Sequence, residues 1–348
     1  MGKQCAAAVR APFRVCAPNR VDLAGGTLDI YPLYLLIDDA ITVNVAISIR
    51  SVVEVWPLRR GIAKLRSENF GVTAVAADTH GISPGGKLGL LTRALRHFPA
   101  VSGLEIVVGN EAPVGSGIGA SSALLVALME AMGRVTGARR SWEETARAAM
   151  EIEASHLKGL AGRQDHIAAL RGGIQGIRFL PGRLDAHRLS PNGESGRMLK
   201  AHGILANSGI SHRSSDVNWR MIRGAIDGNA VVLRKFRGIA AAARDAWEAV
   251  SAADPDALGK AVSAEWKIRR TLAEKVSPGK VEALLCDRRF RRLISGAKLC
   301  GAGNGGMLFG MLRDPADRAE AESIFRAAGM SVLPVCLSGG VRFEELPA

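Results

Sequence analysis

The sequence predicts an α+β protein built as two domains. Strand-like and helical stretches mix without the regular βαβ rhythm of a doubly wound sheet. The length, 348 residues, suits about two domains of roughly 150 residues each. A polar stretch containing proline and glycine, 181–197, offers a boundary near the middle. The expected division is 1–190 and 191–348.

Residues 41–49 place Ile41, Val43, Val45, Ile47 and Ile49 on one face and Thr42, Asn44, Ala46 and Ser48 on the other, the signature of a half-buried strand. Ser51 to Trp56 reads as its neighbour, and Leu104 to Val108 as a short apolar strand. A Pro-Gly stretch then leads into a helix from about Ser121 to Met132. It is apolar nearly all round and therefore expected to be buried. Ser141 followed by Glu144 forms a capping box for the next helix. Helical patterns dominate 213–275, and strands at Ala297–Cys300 and Met307–Met311 flank a glycine-rich loop. A helix over 314–328 and a strand over 331–336 close the chain.

Composition narrows the class. Hydrophobic residues make up 47% and charged residues 23%, a globular balance. The five cysteines are widely spaced and form no CxxC pair, which fits free thiols in a reducing cytosol. No Cys/His cluster suggests zinc. No apolar run reaches the roughly 18 residues of a membrane span, and the N-terminus lacks a signal-peptide core. A cytoplasmic location is expected, with no membrane partner. The net charge of +13 raises nucleic acid as a partner. The basic residues are dispersed, however, and only two tyrosines are present for stacking. An anionic small substrate suits the charge at least as well.

Glycine is the compositional outlier, at 40 residues against a typical share of about 7%. Three segments concentrate it. Residues 113–123, PVGSGIGASSA, alternate three glycines and then place two serines at the mouth of the buried helix. Alternating glycines let backbone approach a ligand, and the free N–H groups of a helix start attract phosphate. The segment also fits a tight turn that merely caps a core helix. It is not a Walker A loop, because no Gly-Lys-Ser/Thr follows. Residues 299–307, LCGAGNGGM, repeat the pattern, but a strand follows, so the dinucleotide reading fails. Residues 17–29, APNRVDLAGGTLD, gather Arg20, Gly25, Gly26 and Asp29. An arginine suits phosphate and a carboxylate suits sugar hydroxyls, although polar surface loops look alike.

In this order the three segments resemble the signature motifs of the GHMP kinase superfamily, over about Arg14 to Phe309. The segment GRQDHIAALRGG, 162–173, and the segment NSGISHRSS, 207–215, are similar to stretches of its heptose-phosphate, fucose and galactose kinase branch. There is one departure. The heptose kinases read Gly-Gly-Gly-Thr-Asp where this chain has Gly25-Gly26-Thr27-Leu28-Asp29, which alters the floor of the sugar pocket.

The resemblance implies an N-terminal domain like domain 2 of ribosomal protein S5 and a ferredoxin-like C-terminal domain, with the site between them. It implies an ATP- and Mg2+-dependent kinase acting on a hydroxyl of a sugar or sugar phosphate. Asp165 would be the catalytic base, with Arg20 beside it to keep it ionised and steady the phosphoryl group. Pro113, Gly115, Ser116, Gly117, Gly119, Ala120 and Ser121 would hold the phosphates. Ser122 and Glu153 would hold magnesium, with Glu151 as the alternative to Glu153. Gly26, Thr27, Asp29 and Gly303 would meet the acceptor. A homodimer is compatible with the sequence. The alternatives are a mevalonate- or phosphomevalonate-type kinase and a catalytically silent ligand-binding homologue.

Overall fold

The structure is a computed structural model. It describes residues 9–59, 61–210, 219, 222–274 and 276–347. Ser211–Ser215 of the 207–215 segment lie outside the described residues.

Two sheets organise the chain. The first has eight strands: β1 (Phe13–Ala24), β2 (Ile41–Pro57), β3 (Ala63–Ser67), β4 (Val72–Ala76), β5 (Leu104–Asn110), β6 (Ile174–Leu180), β7 (Arg183–Leu189) and β12 (Arg342–Glu345). The second comprises β8 (Gly203–Asn207), β9 (Ile294–Leu299), β10 (Met307–Leu312) and β11 (Ser331–Leu333). Its spatial order is β11-β8-β10-β9, antiparallel throughout. In sequence terms that order is fourth, first, third, second, the ferredoxin-like arrangement. The fold is thus α+β.

β2 corrects the expectation of two neighbouring strands, because residues 41–57 form one strand. Its first half pairs with β6 and its second half with β5. The ladder to β1 slips between Pro18 and Asn19, so Ser48 and Ile49 form a bulge at which the strand continues without turning back. The stretch 181–197 is also more than a linker, since it holds β7 and the start of a helix, Glu194–His202. The final strand is shorter than expected, and β12 follows it unforeseen. β12 returns to the first sheet and pairs with β1.

Helices cover the sheets. α3 (Ala120–Thr136) is buried along most of its length and packs on β1 and β2. α4 (Trp142–Leu157) carries the foreseen capping box, in which Ser141 and Glu144 bond each other's backbone N–H. The short α5 (Gln164–Arg171) follows and packs on α3, α4 and β1. In the C-terminal half, α7 (Ala230–Ser251) and α8 (Pro255–Arg269) pack together, and α8 lies against β9. One apolar cluster fills the space between the first sheet and α2 (Gly89–Leu95), α3 and α4; a second lies under the ferredoxin-like sheet. Among the described residues no helix is long and apolar enough to cross a membrane.

Candidate active site

A cavity of about 220 Å3 opens where the glycine loop, β1, α5 and the loop after β9 converge. Its geometry begins with backbone. Gly115, Gly117 and Gly119 all have φ between 72° and 74°, the left-handed region that glycine alone enters without strain. Their alternation curls the chain so that α3 starts at the cavity wall. Gly115, Ser116, Gly117, Gly119, Ala120 and Ser121 all face the cavity. Ser116 Oγ is buried without a hydrogen-bond partner among the described residues. An orphaned buried hydroxyl beside a helix N-terminus fits the polyphosphate of a nucleotide.

The second glycine loop closes against the first. Met307 N donates to Ser116 O at 2.8 Å, and a Cβ on Gly301 would lie 3.0 Å from Gly117 O. Backbone therefore meets backbone across the cleft.

Arg20 and Asp165, 145 positions apart, come together at its floor. Arg20 Nη2 is 2.7 Å from Asp165 Oδ1, and its Nε donates to the same oxygen at 2.8 Å. Arg20 Nη1 donates to Gly117 O at 2.6 Å, which ties the pair to the glycine loop. Burial works against the Arg20 charge, but Asp165 and Asp22 outweigh it and raise its pKa. No strand is expected from the sequence at Arg20 and Asp22. Both belong to β1, which is buried on both faces.

Ser122 Oγ donates to Glu153 Oε2 at 2.8 Å, bridging α3 and α4. His166 Nε2 lies 3.2 Å from the same oxygen. Burial pushes the Glu153 carboxyl up, yet His166 and Ser122 outweigh it and hold it below its usual range. Glu151 is exposed, whereas Glu153 lines the cavity. Among the described residues no group of three or more Asp, Glu, His or Cys could hold a metal alone. The hydroxyl–carboxylate pair fits a hard cation such as Mg2+, which keeps waters and phosphate oxygens as its other ligands.

Asp29 and Thr27 line the opposite wall. Gln164 N donates to Asp29 Oδ2 at 3.0 Å, so α5 delivers both Asp165 and an anchor for Asp29. The close approach requires glycine at 162, where a Cβ would collide with the Asp29 carboxylate. Burial is the main cause that raises the Asp29 pKa to about 6, with the charge of Asp165 adding to it.

Three of the expected residues stand off the cavity wall. Pro113 is off the cavity wall; its carbonyl accepts from Ser116 N at 3.2 Å and closes the turn. Gly26 also lies off the wall, with its carbonyl bonded to Arg269. Gly303 faces Val276, and Gly301 and Ala302 form the wall in its place.

Sequence reasoning missed a buried ionic group beneath the site: Asp22, Glu265, Arg269 and Lys298, all sealed from water. The alternation of Arg20 and Asp22 with Val21 and Leu23 is the signal that could have placed two charges on one strand face. Burial raises the neighbouring Cys300 thiol to about 12, so this cysteine stays inert.

Comparison with known proteins agrees with this geometry. Residues 88–173 match the family model for the GHMP kinases N terminal domain. The chain is 24% identical over 338 residues to L-fucokinase/L-fucose-1-P guanylyltransferase of Bacteroides fragilis, covering 86% of this chain and 34% of that protein. It is 28% identical to D-glycero-alpha-D-manno-heptose 7-phosphate kinase of Campylobacter jejuni, over 58% of each chain. The chain thus spans less than two thirds of both proteins. Galactokinase of Mycobacterium tuberculosis is 26% identical, with 90% of this chain and 92% of that one covered. A solved D-glycero-D-manno-heptose 1-phosphate kinase of Bacteroides thetaiotaomicron superposes with a TM-score of 0.77 at 20% identity, over 97% of this chain and 100% of that one. Residues 88–173 thus form a GHMP kinase N-terminal domain, and the chain as a whole is similar to sugar kinases of that superfamily.

Proposed function

We propose that this protein is an ATP-dependent sugar kinase that transfers the γ-phosphoryl group to a hydroxyl of a sugar or sugar phosphate. The observation that carries the reading is the Arg20–Asp165 pair, set between the glycine loop and Asp29 in one cavity. Asp165 is 22% exposed at its side chain, so an acceptor hydroxyl can reach it. In the reaction Asp165 takes the hydroxyl proton, the oxygen forms a bond to the γ-phosphorus, and the bond to the bridging oxygen breaks as ADP leaves. The Arg20 guanidinium lies beside that path and offsets charge on the transferring group. Glu153 and Ser122 would hold magnesium, which supplies charge neutralisation for the phosphates. Asp29 accepts hydrogen bonds from acceptor hydroxyls and fixes their orientation.

The kinship with heptose-phosphate, fucose and galactose kinases supports a sugar over a mevalonate-type acid. The 1–190 and 191–348 halves serve as its two domains, with β12 returned from the second to the first. The test is a coupled ADP-release assay over free and phosphorylated hexoses and heptoses, with mevalonate as control. Turnover on a sugar is the expected result. Turnover on mevalonate alone, or on no acceptor, would defeat the reading.

A further inference from the structure

Four buried charges lie beneath the acceptor wall. Lys298 Nζ on β9 is 3.0 Å from Asp22 and 3.3 Å from Glu265. Glu265 also pairs with Arg269 at 2.6 Å, and all four side chains are fully buried. Apolar packing could hold the same space without the cost of desolvating ions, so stability alone does not explain the group. The guanidinium of Arg269 has further partners. Its Nη2 donates to Gly26 O at 2.5 Å and its Nη1 to Thr27 Oγ1 at 3.1 Å.

Thr27 is unusual in its own right. Its φ is 75°, a left-handed conformation that a β-branched residue adopts only under constraint. It is buried, faces the cavity and stands two residues before Asp29. Arg269 grips it from both sides, through the preceding carbonyl and through its hydroxyl. A planar, preorganised fork suits that double contact in a way an ammonium does not.

We propose that Arg269 is a positioning residue that locks Thr27 in its left-handed conformation, and that Thr27 so held is the wall that selects the acceptor. The proposal rests on the sugar-kinase reading. Glycine at 27 would adopt the same φ without a clamp and would leave a wider pocket. The clamp also spans the chain, because α8 reaches the loop after β1 through this contact.

A double-mutant cycle tests it, with Thr27→Gly, Arg269→Lys and the pair. Lysine keeps a charge beside Glu265 but loses the fork. Arg269→Lys is expected to raise the acceptor KM about tenfold or more, with the ATP KM within about twofold. In the Thr27→Gly background the same change should cost less than about twofold. Thr27→Gly alone should shift the kcat/KM ratio about tenfold toward acceptors larger by one carbon or one hydroxyl. Equal cost of Arg269→Lys in both backgrounds, or equal rises in acceptor and ATP KM, overturns the clamp. If Arg269→Lys does not fold, Thr27→Gly decides, and unchanged acceptor preference overturns the proposal. The cycle is also read in melting temperature, which needs no substrate. Coupling there with no turnover on any sugar defeats the functional reading and leaves the clamp standing; additivity there defeats the clamp.

Discussion

Asp165 is held by two bonds from one guanidinium while part of its side chain stays open to the cavity. A base used in this way loses its role if it cannot take a proton, even when its shape is kept. Asp165→Asn is therefore expected to lower kcat by about 10²-fold or more, with ATP affinity by calorimetry changed less than about threefold. Retained turnover would remove Asp165 as the base. Asp29 offers a second residue-level test. Its folded pKa of about 6 lies above the ordinary 3.8, so ionising it costs stability. The stability this group contributes is fully present below 3.8 and is lost as pH rises through about 6. The proposed role runs the other way, because the ionised carboxylate is the stronger acceptor for the hydroxyls of a sugar. The acceptor kcat/KM should fall as pH drops through about 6, and Asp29→Asn should flatten that limb. A limb unchanged in Asp29→Asn would assign it to another group.

At the scale of elements, the start of α3 carries the most consequence. Gly119 stands at φ 73°, and a Cβ there would lie 3.0 Å from Asp165 Oδ2. Gly119→Ala is expected to cost about 1 kcal/mol of stability by denaturant unfolding. It should also reduce kcat more than that loss explains, because the methyl presses on Asp165, the proposed base. α3 and the Ser141–Glu144 cap were legible in the sequence because both depend on residues within one or two turns. β2 was not, because its two halves take different partners far along the chain, and no local pattern reveals that Ser48 and Ile49 bulge inside a continuous strand. The site divides in the same way. The glycine loop could be read from its own spacing. The Arg20–Asp165 pairing was implied only by resemblance, and the Glu265–Arg269 pair looks like an ordinary i, i+4 surface pair until burial is known.

At the scale of the whole molecule, the tail binds the architecture together. β12 pairs with β1 over Phe13–Cys16, Phe343 stacks on Phe13 with centroids 5.3 Å apart, and the Arg134 guanidinium lies 3.4 Å over the Phe343 ring. Deleting 341–347 would strip that cover and bare the edge of β1. The expected outcome is a loss of about 2 kcal/mol or more in denaturant unfolding, with concentration-dependent light scattering from edge pairing. Unchanged stability would assign the tail no structural role. The charge balance also changes at this scale. Arg269 and Lys298 face Glu265 and Asp22 in buried pairs, and Arg20 faces Asp165 in a partly open one, so the surplus of +13 lies elsewhere in the chain.

The meeting of two glycine loops across the cleft bears on how this fold can diverge. Where Gly301 and Gly306 rest on the backbone of Gly117 and Ser116, the wall is written in torsion angles and peptide dipoles. Such a wall offers few side chains for mutation to alter, and it asks of the surrounding chain only that the curl be kept. Drift elsewhere is then cheap. A partner fold can overlay this one at a TM-score of 0.77 while sharing 20% of its residues. On the proposed reading, acceptor preference can wander through positions such as Thr27 while the glycine loops beside them stay fixed.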